Sequence, residues 1–224
     1  MTATWLTLGM LLIWGTVVGV DLVSFPQALL SRPLVASAGA GFLLGDPVSG
    51  FSVGVVLELF ALDVLPVGAA RYPDYGPAAV GAVVLAGGGP WMVTLGLATL
   101  YALLVAGLGG WSLQVLRRAN GRALQRSAAG LAAGQSDTVS ALLARGIAGD
   151  VLRSFTLTGI ALALALQARE WLPNTEPFAL VTAVAIGGAV AAAAHGALRS
   201  AGTGPRLRWL VGGLVLGGLW VAWR

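Results

Sequence analysis

The chain has 224 residues, 57% of them hydrophobic and only 10% charged, and its mean hydropathy is +0.86. A soluble domain carries about 25% charge and needs polar side chains to cover its surface, so this composition excludes an ordinary soluble enzyme and indicates a polytopic membrane protein. The formal charge is +4, all 13 basic residues are arginine, and cysteine is absent, which removes disulfides, thiolate metal sites and a cysteine nucleophile.

The first apolar run, residues 4–23, has no basic stretch before it and no small-residue cleavage pattern ahead of Asp21. It is therefore expected to remain as a span. Residues 24–90 do not fit the ruler of about 20 apolar residues per span. They break into short apolar pieces, 34–44, 48–65 and 76–87, bounded by Pro26, Pro33, Asp46-Pro47, Pro66, Pro73, Pro77 and the run from Gly87 to Pro90. Interrupted segments of this kind are tolerated at membrane depth where protein or water satisfies the freed backbone, which is the anatomy of a transport site.

Further spans are expected at 91–116, 154–172, 178–198 and 207–223. Between the first two lies an Arg-rich, mildly amphipathic stretch, 117–153, with Leu142, Leu143, Ile147, Val151 and Leu152 at helical spacing. It reads as a cytoplasmic or interfacial helical segment, favoured as a solvated connector over a docking surface. The arginines mark topology rather than a nucleic-acid surface, and no nucleic-acid partner is expected. Arg117, Arg118, Arg122 and Arg126 follow one span and Arg199, Arg206 and Arg208 separate two others, as cytoplasmic loops require, whereas the acidic loop EWLPNTEP is placed outside. No short repeat divides the chain, and residues 1–224 read as one all-α membrane domain.

The stretch Gly45–Asp74 carries the candidate site. Asp46 before Pro47 is a helix start, with the carboxylate accepting orphan backbone N–H groups. Gly50, Gly54 and Glu58 recur every four residues and share one helix stripe, whose small members permit close helix approach. A carboxylate at mid-membrane costs about 2.5–3.5 kcal/mol on insertion scales. Glu58 must therefore pair with Arg32 or Arg71, or face a polar cavity and accept hydroxyl protons from a ligand; the ligand reading is preferred. Asp74, past the turn-rich PVGAARYP, either caps a helix near Gly76 or contacts ligand. Asp63 is expected at the interface, and Tyr72 and Trp91 as interfacial anchors rather than sugar-stacking rings. The lone His195 is expected to be packed or pore-lining. A carboxylate can hold two donors and so suits vicinal sugar hydroxyls, but it suits a cation equally. These residues by themselves reach a transporter of a small polar solute or ion.

Residues 31–74 resemble the N-terminal block of the membrane-embedded IIC subunit of the mannose/fructose/sorbose-type bacterial phosphotransferase system. The matching order is Arg32-Pro33-Leu34, Gly45-Asp46, Gly50, Gly54, Glu58-Leu59, Pro66 to Ala70, then Pro73-Asp74. Residues 117–135 are similar in character to the family's polar segment, and 154–224 match in hydropathy.

The resemblance implies a multi-pass permease of the bacterial cytoplasmic membrane, working in lipid and paired with a IID membrane subunit in an oligomer. Cytosolic IIA and IIB proteins would relay phosphate from phosphoenolpyruvate to the incoming sugar. No catalytic residue, metal or cofactor is expected in this chain. Glu58, Asp74 and the backbone at Gly68 are the expected sugar contacts, with Asp46, Arg32, Gly50, Gly54 and Pro66 supporting them. The competing expectations are an ion-coupled secondary transporter and a non-transporting membrane scaffold or sensor.

Overall fold

A computed structural model describes residues 4–63, 71–87, 91–171 and 178–201, with positions 208, 212, 213 and 216. Pro66, Gly68 and most of the expected last span lie outside the described residues.

All regular structure among the described residues is helical: α1 (Trp5–Asp21), α2 (Pro33–Leu44), α3 (Pro47–Ala61), α4 (Tyr75–Ala86), α5 (Trp91–Arg126), α6 (Ala128–Ala132), α7 (Ser136–Trp171) and α8 (Phe178–Ala201). Local chemistry sets the breaks. Thr4 caps α1 by accepting from the Thr7 amide at 3.2 Å. Pro33 opens α2, and Gly45, in the left-handed region at φ 69°, closes it. Asp46 then starts α3, accepting from the Ser49 amide at 3.1 Å and the Ser49 hydroxyl at 2.7 Å.

Three helical stretches, Thr94–Arg126, Ser136–Glu170 and Leu180–Ala197, are long and apolar enough to cross a membrane. The chain is a multi-pass membrane protein. By contrast α2 and α4 have 12 residues each and α3 has 15, so they run about 18–22 Å, short of a hydrocarbon core of about 30 Å.

The core centres on α4, in which every residue from Gly76 to Ala86 is buried. It packs against α1, α2, α3, α5 and α7, and its Ala, Gly and Val side chains let those neighbours approach closely. Glycines set other contacts. A Cβ on Gly15 would lie 2.2 Å from Thr158 Cγ2, seating α1 on α7. The Gly96 amide donates to Thr182 Oγ1 at 2.9 Å, joining α5 to α8. On the outside of α5, Leu100, Leu104, Leu108 and Trp111 form an exposed apolar stripe suited to lipid.

The stretch 117–153 is not a separate element. Residues 117–126 continue α5, and 136–153 begin α7, with α6 between them. The apolar run ends at Arg117, yet Arg, Ala, Gln and Leu are good helix formers, so helicity outlasts hydrophobicity. At 36 residues each, α5 and α7 are about 54 Å long and extend well past a bilayer.

Candidate functional site

The stripe from Gly50 to Glu58 faces α2. A Cβ on Gly50 would sit 2.7 Å from the Ser37 carbonyl oxygen and 2.9 Å from Gly41 Cα, and one on Gly54 would sit 3.0 Å from Leu34 Cα. This register carries Glu58 to the start of α2. There Arg32 Nε donates to Glu58 Oε1 at 2.7 Å, Arg32 Nη2 donates to the same oxygen, and the Leu34 amide donates to Oε2 at 3.2 Å. The carboxylate thus satisfies an orphan N–H at a helix N-terminus while pairing with a guanidinium. Of the two cations considered for it, Arg32 is the partner; Arg71 lines a cavity against α5 that neither Arg32 nor Glu58 lines. Both side chains keep some access, 28% for Arg32 and 22% for Glu58. A carboxylate offers about four acceptor positions, so the three donors leave capacity for a ligand hydroxyl.

Asp74 lies elsewhere. It occupies the position before α4, but its side chain makes no capping hydrogen bond. Its carboxylate is fully buried, and Arg153 Nη1 donates to Oδ2 at 2.7 Å. Arg153 Nε donates to Asp150 Oδ1 at 3.0 Å, and the Ser24 hydroxyl donates to Asp150 Oδ2 at 2.6 Å. The Asp74 amide donates to the Ala106 carbonyl at 2.9 Å, and Gly109 clears space for the Asp74 Cβ, since a Cβ there would be 2.8 Å away. Asp74 Oδ1 is buried with no partner among the described residues.

One loop joins the two clusters. The buried Asp21 carboxylate accepts from the Ala28 amide at 2.6 Å and the Ser31 amide at 2.9 Å, bracing residues 22–32. Gln27 and Leu29 sit in this loop at φ 57° and 63°, conformations that L-residues adopt only under constraint. The loop begins with Ser24 on Asp150 and ends with Arg32 on Glu58. Beside it lies a cavity of about 580 Å³ lined by Ser24, Gln27, Tyr72, Arg117, Asn120 and Asp150, among others.

Tyr72 departs from the anchor expectation. It is 7% exposed, its hydroxyl accepts from Arg117 Nη2 at 2.7 Å, and the Arg117 guanidinium carbon lies 5.2 Å from the ring centroid. His195 is not packed either: its side chain is 66% exposed and its Nδ1 hydrogen-bonds Asp63 Oδ1 at 2.8 Å. Arg199 donates to the Asp63 carbonyl, so this trio ties the end of α3 to α8. The side chain of Trp91 is outside the described residues.

Asp21, Ser24, Asp150 and Arg153 were not singled out by sequence reasoning. A signal existed for two of them: Asp150 and Arg153 stand three apart immediately before an apolar run, where a charge pair on one helix face is costly unless it is shared.

Residues 5–199 match a family model described as the sorbose-specific IIC component of the phosphotransferase system. The chain belongs to this IIC family. It is 35% identical over 98 residues to the sorbose-specific EIIC component of Lacticaseibacillus casei, a match covering 44% of this chain and 35% of that one. It is 37% identical over 76 residues to the sorbose-specific EIIC component of Klebsiella pneumoniae (34% and 29% covered), and 36% identical over 76 residues to the mannose-specific EIIC component of Escherichia coli K12 (34% and 29% covered). The matched segments therefore span about a third of the length of these curated IIC relatives.

Two solved structures share the IIC chain's fold at 20% identity, each covering 97% of this chain and 88% of the other. One, of a membrane protein, superposes with a TM-score of 0.79, and one, a cryo-electron-microscopy structure of the mannose transporter ManYZ with microcin E492, with 0.61.

Proposed function

We propose that this chain is the sugar-translocating permease subunit, IIC, of a mannose/sorbose-type phosphoenolpyruvate-dependent phosphotransferase system in a bacterial cytoplasmic membrane. The observation that carries the reading is the partly exposed Arg32–Glu58 pair at the start of a short apolar helix, inside a chain of the IIC family. A guanidinium and a carboxylate side by side supply donors and an acceptor for adjacent hydroxyls, and the helix N-terminus adds an oriented dipole. Glu58 is the residue assigned to hydroxyl recognition. Asp74, wholly buried against Arg153, reaches a solute only if that pair opens, and Gly68 remains a candidate backbone contact. Asp46, Gly50 and Gly54 hold the broken helices in shape.

The positive-inside bias puts the ends of α5 and α7 that bear Arg117, Arg118, Arg122, Arg126 and Arg145 on the cytoplasmic side. Arg117 and Arg145 of that set line the cavity beside the 22–32 loop, a suitable exit for a sugar on its way to a phosphocarrier. Transport would proceed by rigid-body rocking or lifting of the α2–α3 hairpin against α5, α7 and α8, with the Ser24–Asp150 contact breaking as the loop follows. A IID subunit is the proposed membrane partner in an oligomer, in line with the two-component name of the mannose transporter that shares the fold. IIA and IIB proteins are the proposed cytosolic phosphate donors, and no phosphocarrier role is assigned to His195, which is hydrogen-bonded to Asp63.

The test is uptake of labelled hexoses by cells expressing the chain with its IIA, IIB and IID neighbours, with phosphoenolpyruvate supplied or withheld. Sugar phosphate should accumulate only when it is supplied. Uptake that ignores phosphoenolpyruvate and follows an ion gradient would favour the secondary-transporter reading, and no uptake of any tested sugar would make the scaffold reading the one to pursue.

A further inference from the structure

A second cavity, of about 490 Å³, lies on the other side of Tyr72, between the extended segment 71–73 and α5. Its wall is made by close approach: a Cβ on Gly110 would fall 2.4 Å from the Tyr72 carbonyl oxygen. Arg71 and Arg118 line it, both exposed and neither in an ion pair among the described residues. Gln114 lines it too, and Gln114 Nε2 is buried with no hydrogen-bond partner among the described residues. Two guanidiniums with no ion pair among the described residues line one concavity, and the electrostatically complementary occupant is an anion with several acceptor oxygens.

The surroundings identify which anion. Trp111, on the same wall, is 67% exposed and ends the apolar stripe that begins at Leu100 and runs through Leu104 and Leu108. Trp at the end of a lipid-facing stripe, followed within two turns by arginine, is the pattern of a headgroup-level boundary. Gly107 also lines the cavity, and a Cβ there would meet nothing within 4 Å, so the cavity is open where it borders the apolar stripe at Trp111. The cytoplasmic leaflet to which the arginines point carries the anionic lipids, and basic pockets of this type recognise their headgroups.

We propose that this cavity is a binding site for an anionic phospholipid of the cytoplasmic leaflet. Arg71 and Arg118 hold the phosphodiester, and one acyl chain lies along Gly107 and the Leu104–Leu108 face. The site is separate from the Arg32–Glu58 pair, and the proposal does not depend on what that pair binds.

Native mass spectrometry of the full chain in mild detergent, titrated with phosphatidylglycerol, with phosphatidylcholine and with inorganic phosphate, tests it. Phosphatidylglycerol should bind at least tenfold more tightly than phosphatidylcholine. The Arg71→Gln/Arg118→Gln variant should lose most of that preference, and Gly107→Leu, which keeps both charges and fills open space, should weaken the lipid without lowering the melting temperature in lipid-free detergent. Arg126→Gln/Arg145→Gln, in a separate cavity between α5 and α7, should bind as the parent does. Equal binding of the two lipids, an equal loss in the Arg126/Arg145 control, or retention that is insensitive to Gly107→Leu while millimolar phosphate displaces it would each overturn the proposal, the last by assigning the cavity to free phosphate.

Discussion

Arg153 and Asp74, 79 positions apart in the chain, meet at 2.7 Å with side chains 7% and 0% exposed. Arg153 also holds Asp150 at 3.0 Å, so one guanidinium serves two buried carboxylates contributed by α7 and by the segment before α4. Removing one partner of a buried pair costs about 3–5 kcal/mol because the other charge is left uncompensated. Arg153→Met strands two carboxylates and is expected to fall at the upper end of that range. Asp74→Asn leaves Arg153 its Asp150 partner and should cost less. Thermal melting in detergent checks the order: Arg153→Met should melt well below Asp74→Asn, and the reverse order would contradict the shared-guanidinium arrangement.

The α2–α3 hairpin gives a steric prediction. At Gly50 the added methyl of Gly50→Ala must displace the Ser37 carbonyl, 2.7 Å away, and the Gly41 backbone. Neither is the free end of a flexible side chain. Overpacking of this kind costs about 1–3 kcal/mol, and spreading the hairpin pulls Glu58 from Arg32. Uptake by Gly50→Ala should drop severalfold, whereas Gly187→Ala, at a position with open space on α8, should transport as the parent does.

Capping is the smaller effect. Asp46→Ala removes the acceptor for the Ser49 amide and hydroxyl, at a cost of about 1 kcal/mol. Asp46→Asn retains an acceptor and should recover most of the melting temperature. If Asn gives no recovery, a role beyond capping is at work at Asp46.

Most limits of the short helices were legible because their punctuation is local: Pro33, Gly45, Asp46-Pro47 and Gly87 act on the backbone beside them, whereas α3 stops at Ala61, short of the expected limit at Leu65. The stripe of Gly50, Gly54 and Glu58 was legible for the same reason, since helical spacing places all three on one face. Which arginine meets Glu58 depends on how α3 folds back on α2, and local spacing left Arg32 and Arg71 open. The Asp74–Arg153–Asp150–Ser24 network was hidden altogether. Its members come from three separate parts of the chain, and Arg153 stands at the end of a stretch whose other arginines read as solvated topology markers. The continuation of α5 and α7 through 117–153 was missed because hydrophobicity, the quantity that locates a span, stops before the helix does.

Tyr72→Phe gives a prediction about the cavity between the clusters. Loss of the hydroxyl removes the hydrogen bond from Arg117, worth about 1.5–3 kcal/mol when one partner is charged, but keeps the ring under the guanidinium. The variant should be destabilised less than Tyr72→Ala, which loses both contacts and a 7% exposed ring. Melting temperatures of the two variants decide it, and equal losses would mean that the ring contributes nothing.

The central claim is that Glu58 recognises sugar hydroxyls. Its most direct test is phosphoenolpyruvate-dependent accumulation of labelled sugar phosphate in cells carrying Glu58→Gln with intact IIA, IIB and IID components. The amide keeps the size and one acceptor but loses the charge-assisted bonds, worth about 1.5–3 kcal/mol, so accumulation at subsaturating sugar should fall about ten- to hundredfold, with normal amounts of subunit in the membrane. Accumulation at the parental rate in Glu58→Gln would contradict the account and leave Glu58 as a structural partner of Arg32.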